Sequence, residues 1–185
     1  TVRRIDSPKT VRFENVKFVG GTPLNPAHTR GAILLGSTDR SLVDACTFDS
    51  VYSEGVRVDG CLDTSIDRCL FKGMVDPSLG YAVKCINGSS GTRVEACRAD
   101  ACNRLFSEDA DVAGFGFRTR VRGCSYTGTG QLAWFGGGSV ESYLTDCDGS
   151  QSGGGATDDL IFFGGLSGTI DSAQLYNANR TGINV

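Results

Sequence analysis

The feature that most constrains the fold is a six-residue pattern that recurs seven times along the chain. An apolar residue is followed by two mostly polar or small residues, a small residue, any residue, and an apolar or small residue. The copies are Phe13–Phe18, Val43–Phe48, Ile66–Phe71, Val94–Ala99, Val121–Tyr126, Leu144–Gly149 and Ile170–Leu175. Their fourth positions, 23 to 30 residues apart, are Val16, Cys46, Cys69, Cys97, Cys124, Cys147 and Ala173. Periods of about 20 to 50 residues indicate a solenoid or a related repeat architecture.

A second apolar run precedes most copies of the pattern. These runs are residues 32–35, 56–58, 82–86, 105–106, 132–135 and 160–163. Each repeat therefore carries at least two short strands, and the 16 Asp and 26 Gly against 5 Glu favour tight turns over helices. The sequence predicts an all-β, right-handed parallel β-helix of about seven coils of roughly 26 residues, forming a single domain over residues 1–185.

Stacked coils would place the five cysteines of the pattern in one internal column. Equivalent residues of stacked coils are about 4.8 Å apart, whereas a disulfide needs a Cβ separation of about 3.8 Å. A straight column also does not surround a zinc ion tetrahedrally. We therefore expect free cysteines that pack as small core residues, with no metal and no cofactor. A disulfide between Cys97 and Cys102 is the weaker alternative.

The charge pattern argues against two classes of partner. The formal net charge is −3 and the arginines are scattered, whereas nucleic-acid binding requires a basic patch. The chain has no run of 18 apolar residues, the length that a membrane-spanning helix needs. The opening TVRRIDSPKT does not resemble a signal peptide and both ends read like interrupted strands, so we expect a fragment of a longer chain.

The repeats, the cysteine column and the phrases VRFENVKFVGG and AILLGSTDRSLVDACTFDS resemble the pectate-lyase-like β-helix superfamily. Within it they are most similar to phage tailspike and tail-fibre depolymerases. The resemblance extends over nearly the whole chain and rests on the recurrent sequence pattern of the coils, not on a catalytic motif. It implies an extended protein, often a homo-trimer, that binds bacterial surface polysaccharide and commonly cleaves it. It also implies assembly in the host cytoplasm and action outside the cell, on a virion tail.

Hydrolysis of a polysaccharide requires two carboxylates, about 5 Å apart in retaining enzymes and about 6.5–9.5 Å apart in inverting ones. Asp59 and Glu108 follow equivalent strands two coils apart, which predicts a separation of about 9.6 Å. Asp63, Asp109 and Asp111 are further catalytic candidates in the same acid-rich turns. The alternative is that these acids cap turns at strand ends.

Elimination would instead require a cation beside a substrate carboxylate. Arg57 and Lys84 face outward on neighbouring coils if the valines beside them face inward, and they would hold an acidic sugar. The strands that contain Trp134–Phe135 and Phe162–Phe163 are apolar on both faces, so one residue of each pair must face outward. This predicts an outward apolar stripe with a cover over it, and Trp134 and Phe162 are the candidates for contact with a substrate. The cover is another subunit, a loop, or a sugar stacked on the rings.

The sequence thus favours a tailspike-like β-helix that binds bacterial surface polysaccharide and degrades it. Hydrolysis is favoured over β-elimination as the mode of cleavage. A non-catalytic structural or receptor-binding fibre shaft is the second hypothesis. A secreted bacterial pectate-lyase-like enzyme or adhesin is the third. A tight carboxylate cluster in a groove with aromatic residues would favour an enzyme, and dispersed acids would favour the shaft.

Overall fold

The computed structural model confirms an all-β parallel β-solenoid with about 26 residues per turn, and it has about six turns where the sequence predicted about seven coils. It describes residues 3–6, 10–20, 31–74, 76, 80–108, 116–136, 138–151, 159–178 and 180–185. Within those ranges all regular structure is extended, and no helix is present. The strand pairings are parallel and join each coil to the next one along the chain.

Each coil contributes strands to three faces, which we number in chain order. Face 1 contains β1 (Arg3–Asp6), β4 (Ile33–Gly36), β7 (Val56–Asp59), β10 (Tyr81–Ile86), the second half of β12 (Arg98–Glu108), the second half of β14 (Ser125–Phe135), β17 (Ile161–Phe163) and β20 (Ile183–Asn184). Face 2 contains β2 (Arg12–Glu14), β5 (Leu42–Asp44), β8 (Ser65–Asp67), β11 (Arg93–Glu95), β13 (Arg120–Arg122), β15 (Ser142–Thr145) and β18 (Gly168–Asp171).

Face 3 contains β3 (Lys17–Val19), β6 (Thr47–Asp49), β9 (Leu70–Lys72), the first halves of β12 and β14, β16 (Asp148–Gln151) and β19 (Gln174–Tyr176). Strands β12 and β14 each run from face 3 onto face 1 without a break, and their pairing contains register shifts between Asp100 and Arg104. The register after these shifts determines which residues of β12 and β14 become neighbours on face 1, where the candidate site lies.

The recurrent pattern is the corner between faces 2 and 3. Its third residue adopts a positive φ of 49° to 60° in every copy. These residues are Asn15, Ala45, Arg68, Ala96, Gly123, Asp146 and Ser172. A left-handed residue costs about 1–2 kcal/mol in a non-glycine position, and the hydrogen bonds to neighbouring coils offset that cost. One residue therefore turns the chain, and the residue after it points into the core.

The cysteine column is confirmed as a row of free, buried thiols. All eight cysteines are unpaired and buried, so the alternative of a Cys97–Cys102 disulfide is wrong. Each column thiol lies within hydrogen-bonding distance of carbonyls at the corner; Cys97 Sγ is 3.3 Å from the Glu95 oxygen and 3.5 Å from the Ile66 oxygen of the preceding coil. A small apolar side chain with a weak S–H donor suits this crowded position.

In another internal column, the size of the side chain changes from coil to coil, and a small residue is followed by a large one. Phe18, Phe48 and Phe71 stack with ring centroids 4.9 and 4.7 Å apart. The same column continues through Ala99 and then Tyr126, whose hydroxyl lies 2.8 Å from the Asn103 oxygen and accepts from an amide. The tyrosine thus fills the corner where β12 and β14 pass from face 3 to face 1.

In the part of the chain that the structure describes, no helix is long and apolar enough to cross a membrane.

The free-thiol arrangement predicts a simple titration. In the native protein we expect none of the eight thiols to react with a chromogenic disulfide reagent within minutes, because every one is buried. For Cys102, burial also raises the thiol pKa to about 12, and the thiolate is the reactive form. After unfolding in guanidinium without reductant, all eight should react. Six or fewer reactive thiols would show a disulfide and contradict the column described above.

Candidate functional site

One outward column on face 1 collects four of the residues that the sequence singled out. In register, Leu34, Arg57, Lys84, Ser107, Trp134, Phe162 and Asn184 follow one another on successive coils. We call this set the outer column. Its members alternate along each strand with core residues, and all except the buried Ser107 are half-buried. Arg57 and Lys84 face outward on neighbouring coils, as the sequence predicted. The structure adds that Trp134 and Phe162 lie in line with them.

A second column lies three residues earlier in the same strands and packs against the first. It contains Tyr81, Arg104 and Gln131. The Arg104 guanidinium carbon is 5.1 Å from the centre of the Tyr81 ring and 4.8 Å from the centre of the Trp134 ring. Lys84 Nζ lies 5.0 Å from the Tyr81 ring centre. Cations over aromatic faces at these distances attract the ring quadrupole.

Other side chains of the protein pack against both faces of the Trp134 ring. Arg104 covers one face, and Phe162 stacks with Trp134 at 4.0 Å between ring centroids and an interplanar angle of 18°. A sugar ring stacks on an exposed aromatic face, so Trp134 does not offer the stacking platform that the sequence suggested. The column instead presents ring edges and the charged groups between them.

Arg104 is the residue that sequence reasoning missed. It lies just before the apolar pair Leu105–Phe106, where the sequence carries no sign of its contacts. Its place beside Trp134 follows from the continuous strand β12 and from the register shifts between Asp100 and Arg104. Only the paired structure shows these shifts.

The two ends of the outer column hold ion pairs. Near its start, Arg57 Nη1 donates to the buried Glu54 carboxylate at 3.1 Å. Near its end, Asn184 Nδ2 donates to Asp159 Oδ2 at 2.6 Å, and Arg180 Nε lies 3.6 Å from the other oxygen. The hydrogen bond from Asn184 holds the pKa of Asp159 below its usual range. Between these ends lie the two cations that pack on rings, Lys84 in the outer column and Arg104 in the second column.

The predicted carboxylate pair does not form. Asp59 is in register with Ile86, whereas Glu108 is in register with Cys85, so the two acids differ by one residue in the strand. A shift of one residue moves a side chain to the opposite side of a sheet. Asp59 therefore stays outside, where Asn87 Nδ2 donates to it at 2.7 Å, and Glu108 points into the solenoid.

Glu108 is an interior residue with only 3% of its surface exposed. The Thr119 hydroxyl donates to Oε1 at 2.9 Å and the Ser142 hydroxyl to Oε2 at 3.2 Å. A Cβ at Gly116 would collide with the carboxyl group, so the missing side chain of Gly116 makes room for it. Burial raises the pKa of Glu108. The prediction of a solvent-facing catalytic role for Glu108 is wrong.

Of the remaining catalytic candidates, the structure describes Asp63, which does not belong to the outer column. Asp63 is an exposed corner residue with a φ of 51°, consistent with the turn role weighed for it. Asp109 and Asp111 lie outside the described residues. Within the described part of the chain, no group of three or more His, Cys, Asp or Glu residues has an arrangement that would hold a metal ion.

The burial of Glu108 predicts a pH-dependent stability. Because its pKa is higher in the folded than in the unfolded chain, its contribution to stability is complete below the unfolded pKa and is lost as pH rises through the folded pKa. Glu108→Gln keeps the shape and does not titrate. We expect urea unfolding to show equal stability of the two proteins near pH 4. Near pH 8 the Gln variant should be more stable by on the order of 1–3 kcal/mol.

The matched control is Glu141→Gln, which changes an exposed carboxylate that accepts from Arg118 at 3.0 Å. A surface ion pair contributes about 0–1 kcal/mol, so this variant should follow the wild-type pH profile closely. Parallel profiles for Glu108→Gln and the wild type between pH 4 and 8 would contradict the buried, titrating carboxyl.

The comparisons with known proteins add little to this geometry. No protein-family model and no curated protein matches the chain. Among solved structures, HetL, a pentapeptide repeat protein involved in heterocyst differentiation regulation from the cyanobacterium Nostoc sp. strain PCC 7120, is 7% identical over 90% of this chain and 87% of that one, with a TM-score of 0.17. Such a low TM-score carries no argument, so the fold assignment rests on the strand register.

Proposed function

We propose that this chain binds a bacterial surface polysaccharide along the outer column of face 1, as tailspike and tail-fibre proteins do on a virion tail. The observation that carries the proposal is the column itself, in which cationic and aromatic side chains form one line along the solenoid axis. From Arg57 to Asn184 the column rises by five coil steps, or about 24 Å at about 4.8 Å per step. A linear polymer of several sugar units matches such a line.

The chemistry of the column suits a polar polymer. Lys84 and Arg104 provide N–H donors for hydroxyl and carboxylate oxygens, and the edges of Trp134 and Phe162 provide apolar contact beside them. The rings also hold the cations in place, which lowers the entropy that binding must remove. The site is therefore organised before a ligand arrives.

Binding is better supported than cleavage. Of the predicted acids, Asp59 bonds to Asn87 outside and Glu108 lies inside the solenoid. Among the described residues, the two acids that form ion pairs near the ends of the column are Glu54 and Asp159, which belong to coils four steps apart and each lie close to an arginine. That separation is far greater than the about 6.5–9.5 Å of an inverting pair. The resemblance to tailspike proteins suggests that the chain also cleaves the bound polymer, with hydrolysis favoured over β-elimination.

A second candidate is a structural shaft in which face 1 packs against other subunits of a homo-trimer. The half-buried neighbours Trp134 and Phe162 favour it because contiguous apolar residues on an outer face mark contact surfaces. Light scattering after size-exclusion chromatography separates the candidates: the shaft requires a trimer whose mass is lost in a Trp134→Ala variant.

Polysaccharide binding is tested with a panel of purified capsular polysaccharides and lipopolysaccharides, by affinity electrophoresis and interferometry. We expect at least one polymer to bind. Trp134→Ala should weaken that binding by about tenfold or more, equivalent to about 1.4 kcal/mol, because it removes the ring that holds Arg104 and Phe162. Reducing ends and absorbance near 235 nm, followed in the same samples, report hydrolysis and elimination.

Face 2 offers the matched control. Arg120 lies over the Tyr143 ring at 5.7 Å, which reproduces the arginine–aromatic contact away from the outer column. Tyr143→Ala should bind the polymer as the wild type does. Equal weakening by Tyr143→Ala and Trp134→Ala would place binding elsewhere, and no binding to any polymer by the folded protein would leave the shaft as the function.

A further inference from the structure

The corner between faces 1 and 2 carries a line of apolar side chains on its outside. Isolated parallel bridges place Leu62, Ser90, Phe117 and Val140 in register on four successive coils. We call this set the corner stripe. Leu62 is 55% exposed and Phe117 is 41% exposed, whereas Ser90 and Val140 are half-buried. Single apolar residues are common on protein surfaces, but apolar residues aligned along one edge mark a contact surface.

Beside the corner stripe runs a second line of residues, in which the charge alternates in sign. It consists of the residues that directly follow Asp39 and the members of the stripe, which in coil order are Arg40, Asp63, Gly91, Arg118 and Glu141. We call this set the charged line. Each of its residues has a positive φ, between 51° and 70°, so the line lies where the chain turns the corner. Along the axis the charges are positive, negative, none, positive and negative.

The charged line is complementary to itself when it is read in the reverse direction. Asp63 lies one coil before Gly91 and Arg118 one coil after it, while Arg40 and Glu141 lie two coils before and two coils after. A two-fold axis at Gly91 would therefore bring Asp63 of one copy against Arg118 of a second copy, and Arg40 against Glu141. In a parallel arrangement each charge would lie level with its own equivalent, so opposite charges of the line would not meet.

The same axis matches the apolar residues. Leu62 and Phe117 lie one coil before and one coil after Ser90, so each would meet the other residue of the second copy. An isologous interface requires this relation, in which one residue contacts another and the reverse contact also forms.

The ion pairs within the charged line leave its charges accessible. Arg118 Nε lies 3.0 Å from Glu141 Oε2, and Arg40 Nη2 lies 3.4 Å from Asp39 Oδ2. Arg40, Arg118 and Glu141 are all exposed. Surface ion pairs contribute about 0–1 kcal/mol, so a second copy extends these pairs into networks without breaking a strong internal interaction.

The contact is confined to the corner. Arg93 is exposed on face 2, two residues beyond Gly91, and the two-fold axis would place it opposite its own equivalent. Like charges therefore limit the contact to the corner stripe and the charged line. From Arg40 to Glu141 the line rises by four coil steps, or about 19 Å at about 4.8 Å per step. Two solenoids that touch along so short a line bury less surface than the about 1,200–2,000 Å² of stable complexes, so the association is weak.

We propose that two copies of this chain associate side by side and antiparallel, through the corner between faces 1 and 2. Apolar contact between Leu62 and Phe117 provides the attraction, and the charged line sets the antiparallel orientation, since complementary charges fix the register of an interface. The proposal is independent of polysaccharide binding, because the residues of the outer column are not part of this contact.

Sedimentation equilibrium over a wide range of protein concentration tests the association. We expect a monomer–dimer equilibrium, and Leu62→Ser should raise the dissociation constant by about tenfold, equivalent to about 1.4 kcal/mol, because the change removes apolar contact on both sides of the axis. Val19→Ser is the matched control. Val19 is 69% exposed on face 3, so this variant should dimerise as the wild type does.

Mixing of charge variants tests the antiparallel pairing. Asp63→Arg and Arg118→Glu each bring like charges together in a dimer of identical chains, and each should weaken dimerisation by at least tenfold. An equimolar mixture of the two variants should dimerise as the wild type does. In the mixed dimer the two changed residues face each other with opposite charge, and the second contact keeps the native Asp63 and Arg118. Arg40→Glu and Glu141→Arg provide a second pair for mixing if thermal unfolding shows that either of the first two variants is not folded.

Several results would overturn the proposal. A monomer at every concentration excludes the association. A dimer that persists unchanged in Leu62→Ser, Asp63→Arg and Arg118→Glu places the contact elsewhere, and a mixture that associates no better than its separate components excludes the antiparallel pairing. A trimer that Trp134→Ala dissociates and Leu62→Ser leaves intact replaces this contact with the face 1 contact of a shaft. Polysaccharide binding is measured separately, so its failure leaves these outcomes unchanged.

Discussion

The hydrogen-bond ladder between successive coils is the constraint on which the rest of this structure depends. Each coil lies about 4.8 Å from the next, and the parallel register fixes which residues become neighbours along the axis. Every side chain therefore belongs to a column, inside or outside, and must tolerate the residues above and below it. The stacked phenylalanines and the cysteine column satisfy this condition inside. Outside, Arg68 reaches back to Asp44 on the preceding coil, where two acids stack in register.

Where a coil departs from the repeat, a neighbouring residue compensates for the changed size or polarity of the side chain. Glu108 replaces an apolar column residue, and Gly116 leaves the space that its carboxyl group fills. Tyr126 follows the small Ala99 in its column and carries its hydroxyl to the corner carbonyls. These exchanges keep the core close-packed although the coils differ in sequence and length. They also explain why an acid at a strand end does not reveal by itself whether it faces solvent.

The candidate site follows from the same ladder applied to the outside of face 1. Register alone aligns Arg57, Lys84, Trp134 and Phe162 along the axis, although they are separated by more than one hundred residues of sequence. The aromatic rings of this line contact the cations, and Arg104 lies between two of them. This arrangement occupies the faces of the Trp134 ring.

The sequence by itself determined the solenoid, the period of the coils, the buried free cysteines and the outward position of Arg57 and Lys84, because a repeat with alternating strands fixes which residues share a column and a face. Only the tertiary structure decided the rest. Whether Glu108 faces in or out depends on a single residue of register, and the partners of Arg104 depend on irregular pairing between β12 and β14. Local pattern cannot specify such offsets, because they arise from how neighbouring coils of unequal length align their hydrogen bonds.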